Sequence, residues 1–141
     1  MNALDIYLLC TVALACNLWF LTFATGFFRA KTKTFVNAED AKAFEGKLDA
    51  QEVEPVLRVQ AAHRNALESI PLFLILGFLY VQTSSPSTTG AMAYLISFTV
   101  LRWLHSIVYL KGLQPWRTIF FGLSVLVMVG LAVQLAIAAL S

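Results

Sequence analysis

Apolar and polar positions fall along this chain in long blocks, not in short alternations. Residues Ile6 to Phe28 contain no charge, and neither do Ile119 to Leu140. A helix crossing a bilayer core needs about 20 apolar residues, so both blocks predict membrane spans. Two further blocks are less uniform. Ile70 to Gln82 is apolar but reaches spanning length only if its helix extends back through Glu68, Asn65 and Arg64. Ala91 to Leu110 is long enough, and carries Arg102 and His105 in its second half. Between these two, Thr83 to Gly90 is an uncharged run rich in Ser, Thr and Pro, which predicts a turn. The pattern therefore predicts four helices, at about 5–30, 56–83, 90–111 and 116–140, with a cytoplasmic loop at about 31–55. It predicts a single membrane domain over residues 1–141, all-α, an integral membrane bundle of four transmembrane helices.

Composition agrees. The chain is 59% hydrophobic and 13% charged, against roughly a quarter charged in soluble domains. A net charge of +2 is too small, and the basic residues too dispersed, for a nucleic-acid partner. Cys10 and Cys16 lie six residues apart in the first apolar block, pointing in different directions on a helix. They read as small apolar residues with no redox or metal role. The amino terminus has no basic region, and its apolar run is too long for a signal peptide, so it reads as a retained helix. Basic residues set the orientation. Arg29, Lys31, Lys33, Lys42, Lys47, Arg58 and Arg64 flank or fill the first loop, and Lys111 and Arg117 mark the link between the last two helices. The other side has none, which places both termini on the non-cytoplasmic side of a multi-pass protein.

Charge inside a membrane is expensive and calls for a reason. Arg64, Asn65 and Glu68 sit three and four residues apart at the cytoplasmic start of the second helix, on one surface. Arg102, His105 and Tyr109 fall at i, i+3 and i+7 on the third, which is one stripe. Arg117 and Thr118 open the fourth helix on the same side, and Arg29 closes the first. Together they predict a recessed cationic pocket with one carboxylate, suited to a ligand with several negative groups and one positive group. Each residue alone has a blander reading. Arg64 and Glu68 read equally well as an internal ion pair, and Arg102 as a snorkelling cation. His105 reads as a satisfied bundle histidine; Tyr109, Trp103 and Trp116 read as interfacial anchors. Asn17, in the middle of the first helix, reads as one end of an interhelical hydrogen bond. Pro71 predicts a bend in the second helix.

The run from Arg58 through His63-Arg64-Asn65 to Glu68, followed by an apolar helix with a Pro, resembles the signature of the MAPEG family, the membrane-associated proteins in eicosanoid and glutathione metabolism. The likeness is to its microsomal glutathione transferase and microsomal prostaglandin E synthase branches. Arg102-Trp-Leu-His105 with Tyr109, Gln114-Pro115-Trp116-Arg117-Thr118, Thr25-Gly26 with Arg29, and Phe35 to Asp40 extend the resemblance over nearly the whole chain. It implies a homotrimer of four-helix protomers in membrane lipid, with glutathione as cofactor or co-substrate, bound between subunits at the cytoplasmic end. It implies that Arg29, Arg64, Asn65, Glu68, His105 and Tyr109 hold the tripeptide, with Arg102, His63 and Asp40 in support. Arg117, with Thr118, then faces the sulfur and is catalytic, and no metal is needed. A guanidinium and a hydroxyl lower a thiol's pKa, and the thiolate attacks a hydrophobic electrophile from the lipid. The implied activity is a glutathione transferase with peroxidase activity toward lipid hydroperoxides. Departures bear on it: Thr118, Phe121 and Ala66 stand where the prostaglandin synthase pattern has Ser, Tyr and Asp, and Leu57 where many members have Glu. A non-catalytic lipid-binding protein and an accessory subunit of a larger membrane complex remain the alternative readings.

Overall fold

The computed structural model describes residues 1–83 and 86–140; residues 84 and 85 of the predicted turn at 83–90, and residue 141, lie outside these. Helix α1 covers Ala3–Thr32. It begins where Asn2 and Asp5 exchange side chain and backbone bonds of 2.9 and 2.8 Å, a reciprocal cap that satisfies two otherwise orphan donors. It ends at Lys33, which is left-handed (φ 49°) and returns its N–H to the Arg29 carbonyl.

The loop that follows is structured, and it adds one two-residue strand pair to an otherwise all-α bundle. Strand β1 (Thr34–Phe35) pairs in parallel with β2 (Lys47–Leu48), and the six-residue helix α2 (Ala38–Ala43) makes the crossover. Phe35 is buried and stacks on Phe44. Lys47 donates to the Asp49 carboxylate at 3.2 Å and holds it below the usual carboxylate range. Helix α3 then runs from Glu54 to Val81, with Pro55 in its first turn, where a missing N–H costs nothing, and continues through Pro71. A short helix α4 (Thr88–Ala91), capped by Ser87, passes through one π-helical stretch (Met92–Ile96) into α5 (Ser97–Leu110). Helix α6 covers Trp116–Leu140. The first three spans thus begin about two residues earlier than their pattern predicts: side-chain caps at Asn2 and Ser87 start the first and third, and the second opens on Glu54 and Pro55 with no side-chain cap.

Among the described residues four helices are long and apolar enough to cross a membrane: α1, α3, the α4–α5 run and α6. α1 lies along α3, α5 along α6, and α3 also meets α5 and α6. Leu14, Leu21, Ile70, Leu95, Phe98 and Leu131 are fully buried between them. Phe73 and Phe98 stack face to face at 3.6 Å. Gly77 lets three segments close up, since a Cβ there would come within 3.0 Å of Leu95 and 3.3 Å of Tyr7. The outward faces carry Leu8, Phe23, Ile75, Leu126 and Ile137, all exposed, as lipid-facing surface requires.

Lipid is as apolar as leucine, so hydrogen bonds as well as packing hold spans together. Ser106 of α5 donates to the Asn17 side-chain carbonyl of α1 at 3.1 Å, and Tyr7 donates to the Leu74 carbonyl of α3 at 3.2 Å. Trp103 is no interfacial anchor. Its indole N–H donates to the Ala13 carbonyl at 3.0 Å and ties α5 to α1.

Candidate functional site

The stripe on α5 faces inward. Arg102 is 0% exposed and His105 2%. Arg102 does not snorkel; it stays inside because α3 offers a polar partner at its own depth. Its Nη2 donates to the Asn65 side-chain oxygen at 2.7 Å. Its Nε and Nη1, and His105 Nδ1, are buried without a hydrogen-bond partner among the described residues. Buried polar atoms of this kind ordinarily find partners, and the His105 side chain lines a cavity.

One turn further on, Tyr109 presents its ring to two neighbours. The His105 ring meets it edge-on at 5.5 Å, and the Arg117 guanidinium lies over its face, 4.7 Å from the centroid. Tyr109 therefore belongs to the polar cluster, not to a belt of anchors. Phe121 of α6 closes the side, 6.1 Å from the His105 ring.

The link from α5 to α6 sets the position of Arg117. Gly112 is left-handed (φ 67°), and a Cβ there would run into the Arg58 guanidinium, which pairs with Glu54. This backbone form and this close approach both need glycine. The chain then enters α6 with Arg117 and Thr118 in its first turn, and the exposed Gln114 side chain lies against both.

Asn65, His105, Tyr109, Arg117, Thr118 and Phe121 thus line an open cavity of about 190 Å³. A second cavity, of about 360 Å³, opens beside it between Leu57, Arg58, Ala61 and Gly112, and shares Tyr109 and Arg117. The arrangement offers a guanidinium, a hydroxyl, an imidazole and a phenol to one small polar group. Among the described residues no three His, Cys, Asp or Glu gather as metal ligands.

Other predicted residues stand apart. Arg29 is engaged with the buried Glu52 carboxylate, its Nε donating at 2.7 Å, and Gln60 also reaches that carboxylate. Arg29 and Asp40 line a separate cleft with Gly26, Phe35 and Phe44. Arg64 and Glu68 lie exposed on α3 and His63 half-buried; none of the ion pairs among the described residues involves Arg64 or Glu68, so they do not form the internal pair. Glu52 and Gln114 are the residues that the pattern does not single out. The i, i+3 and i, i+4 spacing of Gln114 to Arg117 and Thr118 is the signal that points to the latter.

The profile of the MAPEG family matches residues 7–137. The chain is 34% identical to the prostaglandin E synthase of Homo sapiens over 94% of its own length and 88% of that protein's. It is 36% identical to microsomal glutathione S-transferase 1 of Sus scrofa, covering 84% of this chain and 79% of that protein, and 39% identical to the same transferase of Rattus norvegicus, covering 79% and 74%. With four spans and a match of this extent, the chain is a membrane helical bundle that belongs to the MAPEG family.

Proposed function

We propose that this chain is a glutathione-dependent membrane transferase. The observation that carries the reading is Arg117. Its guanidinium sits at a recessed polar cavity, seated on the Tyr109 ring and paired with no carboxylate among the described residues, with the Thr118 hydroxyl beside it. The names of the relatives, a glutathione transferase and a prostaglandin synthase, point the same way. Glutathione has two carboxylates, one ammonium and one thiol. In this reading Arg117 and Thr118 hold the thiol as thiolate, its proton passing to water at the cavity mouth. The thiolate then bonds to a hydrophobic electrophile arriving from the lipid and expels its leaving group. With a lipid hydroperoxide, two glutathiones are oxidised to the disulfide, giving the alcohol and water.

One protomer supplies Asn65, His105 and Tyr109 to the cavity but leaves Arg64 and Glu68 on its outer face. Exposed charges at this depth need partners. A homotrimer supplies them, and Arg29, Arg64 and Glu68 of one copy complete the site of the next, with the termini away from the cytoplasm. Thiolate absorbance in the ultraviolet tests the mechanism. Glutathione added to the detergent-solubilised protein should give a thiolate signal that Arg117→Ala abolishes. Absence of the signal, together with no glutathione binding by calorimetry, would overturn the reading and leave a lipid-binding or accessory protein.

A further inference from the structure

The Gln114 amide lies between two groups that ask for opposite ends of it. Arg117 offers only N–H donors, so the amide oxygen belongs on that side. In this orientation the oxygen accepts from Arg117 Nε at 3.1 Å and Nη2 at 2.6 Å, and the amide nitrogen donates to the Thr118 hydroxyl oxygen at 3.2 Å. The opposite orientation sets N–H against N–H at the guanidinium.

Resting on the functional reading above, we infer that Gln114 is a positioning residue that prepares both sulfur-facing groups of this enzyme. It acts on each in a different way. Two of the five N–H donors of Arg117 are taken by the amide, and the guanidinium face is taken by the Tyr109 ring. The plane is thereby fixed, and the remaining donors have no hydrogen-bond partner among the described residues. The partner is neutral, so the full positive charge of Arg117 is kept for the cavity; a carboxylate in the same place would hold the same plane and cancel the charge. At Thr118, the amide N–H occupies a lone pair of the hydroxyl, and the O–H is left to donate away from Gln114, toward the cavity that Thr118 lines.

Three variants separate these effects in the full-length, detergent-solubilised protein. Gln114→Glu keeps the acceptor for Arg117 but adds a charge and removes the donor to Thr118. Gln114→Leu removes both bonds and adds no charge. Arg117→Ala marks the complete loss. The ultraviolet thiolate signal of bound glutathione, followed against pH, should move upward in Gln114→Glu by about one pH unit or more, since a neighbouring positive charge is being cancelled. Gln114→Leu should move in the same direction by less, with glutathione still bound. A Gln114→Glu titration that overlays the wild type would overturn the inference, while a wild type that shows no thiolate at all would instead overturn the functional reading. Modification of Arg117 by phenylglyoxal, read by peptide mass spectrometry without glutathione, follows the same contact independently. Gln114→Leu should release the guanidinium and speed its modification, and equal rates in the two proteins would overturn the inference whatever the tripeptide does.

Discussion

Single polar side chains decide more in this protein than their number suggests. Trp103 is the clearest case. Its indole N–H is the bond between α5 and the Ala13 carbonyl of α1. Trp103→Phe keeps most of the ring and removes the donor, so the stability lost should be about 1 kcal/mol, read as a lower Tm of the detergent-solubilised protein with the helical signal intact at low temperature. A wild-type Tm would show that the bond adds nothing. This residue also marks where a sequence stops being readable. The stripe of Arg102, His105 and Tyr109 is legible because a 3.6-residue period puts the three on one face. Trp103 lies off that face, and periodicity says only that it points elsewhere. Whether elsewhere is lipid or α1 depends on which helices are neighbours. Gln114 is less legible again, because its contacts depend on how one amide is turned within a tight link.

At the scale of elements, the long helices are plain in the sequence because uncharged blocks of that length have few other uses. The connections are not. β1 and β2 have two residues each, too short to show any alternation, and their pairing is set by chain geometry around α2. The link from α5 to α6 is likewise set by Gly112, whose left-handed backbone and contact with Arg58 no pattern announces. Gly112→Ala should cost about 1–2 kcal/mol from the backbone alone. It should also displace Arg58 and shift the start of α6, so activity should fall along with Tm. Unchanged activity in the folded variant would show that the link does not set the position of Arg117.

For the whole molecule, the protomer explains half of the predicted pocket. Asn65, His105, Tyr109, Arg117 and Thr118 converge within one chain, while Arg64 and Glu68 face outward from α3 and Arg29 is held by Glu52. No reading of one chain's helix faces separates a residue turned to lipid from one turned to a second copy. Native mass spectrometry of the detergent-solubilised protein should give three copies. Glu68→Lys, which places like charges where a neighbour's arginine is expected, should weaken that assembly while leaving each protomer helical. A stable monomer that binds glutathione would refute the shared site.

The closed neck of the first loop bears on how the molecule meets bilayers of different thickness. Lys47 returns its N–H to the Lys33 carbonyl and Asp49 to that of Phe35, while Arg29 near the end of α1 grips Glu52 just before α3. A span ordinarily answers a thinner or thicker bilayer by tilting on its own, its connection acting as slack. Here there is little slack. α1 and α3 are fastened at the same end and packed along their length, so they tilt as a pair. Asn65 rides on α3, and the cavity's other walls ride on α5 and α6. Trp103 and Ser106 tie α5 to α1, and Arg102 ties it to Asn65, so the cavity walls should move with the pair and keep their spacing as the surrounding membrane changes thickness.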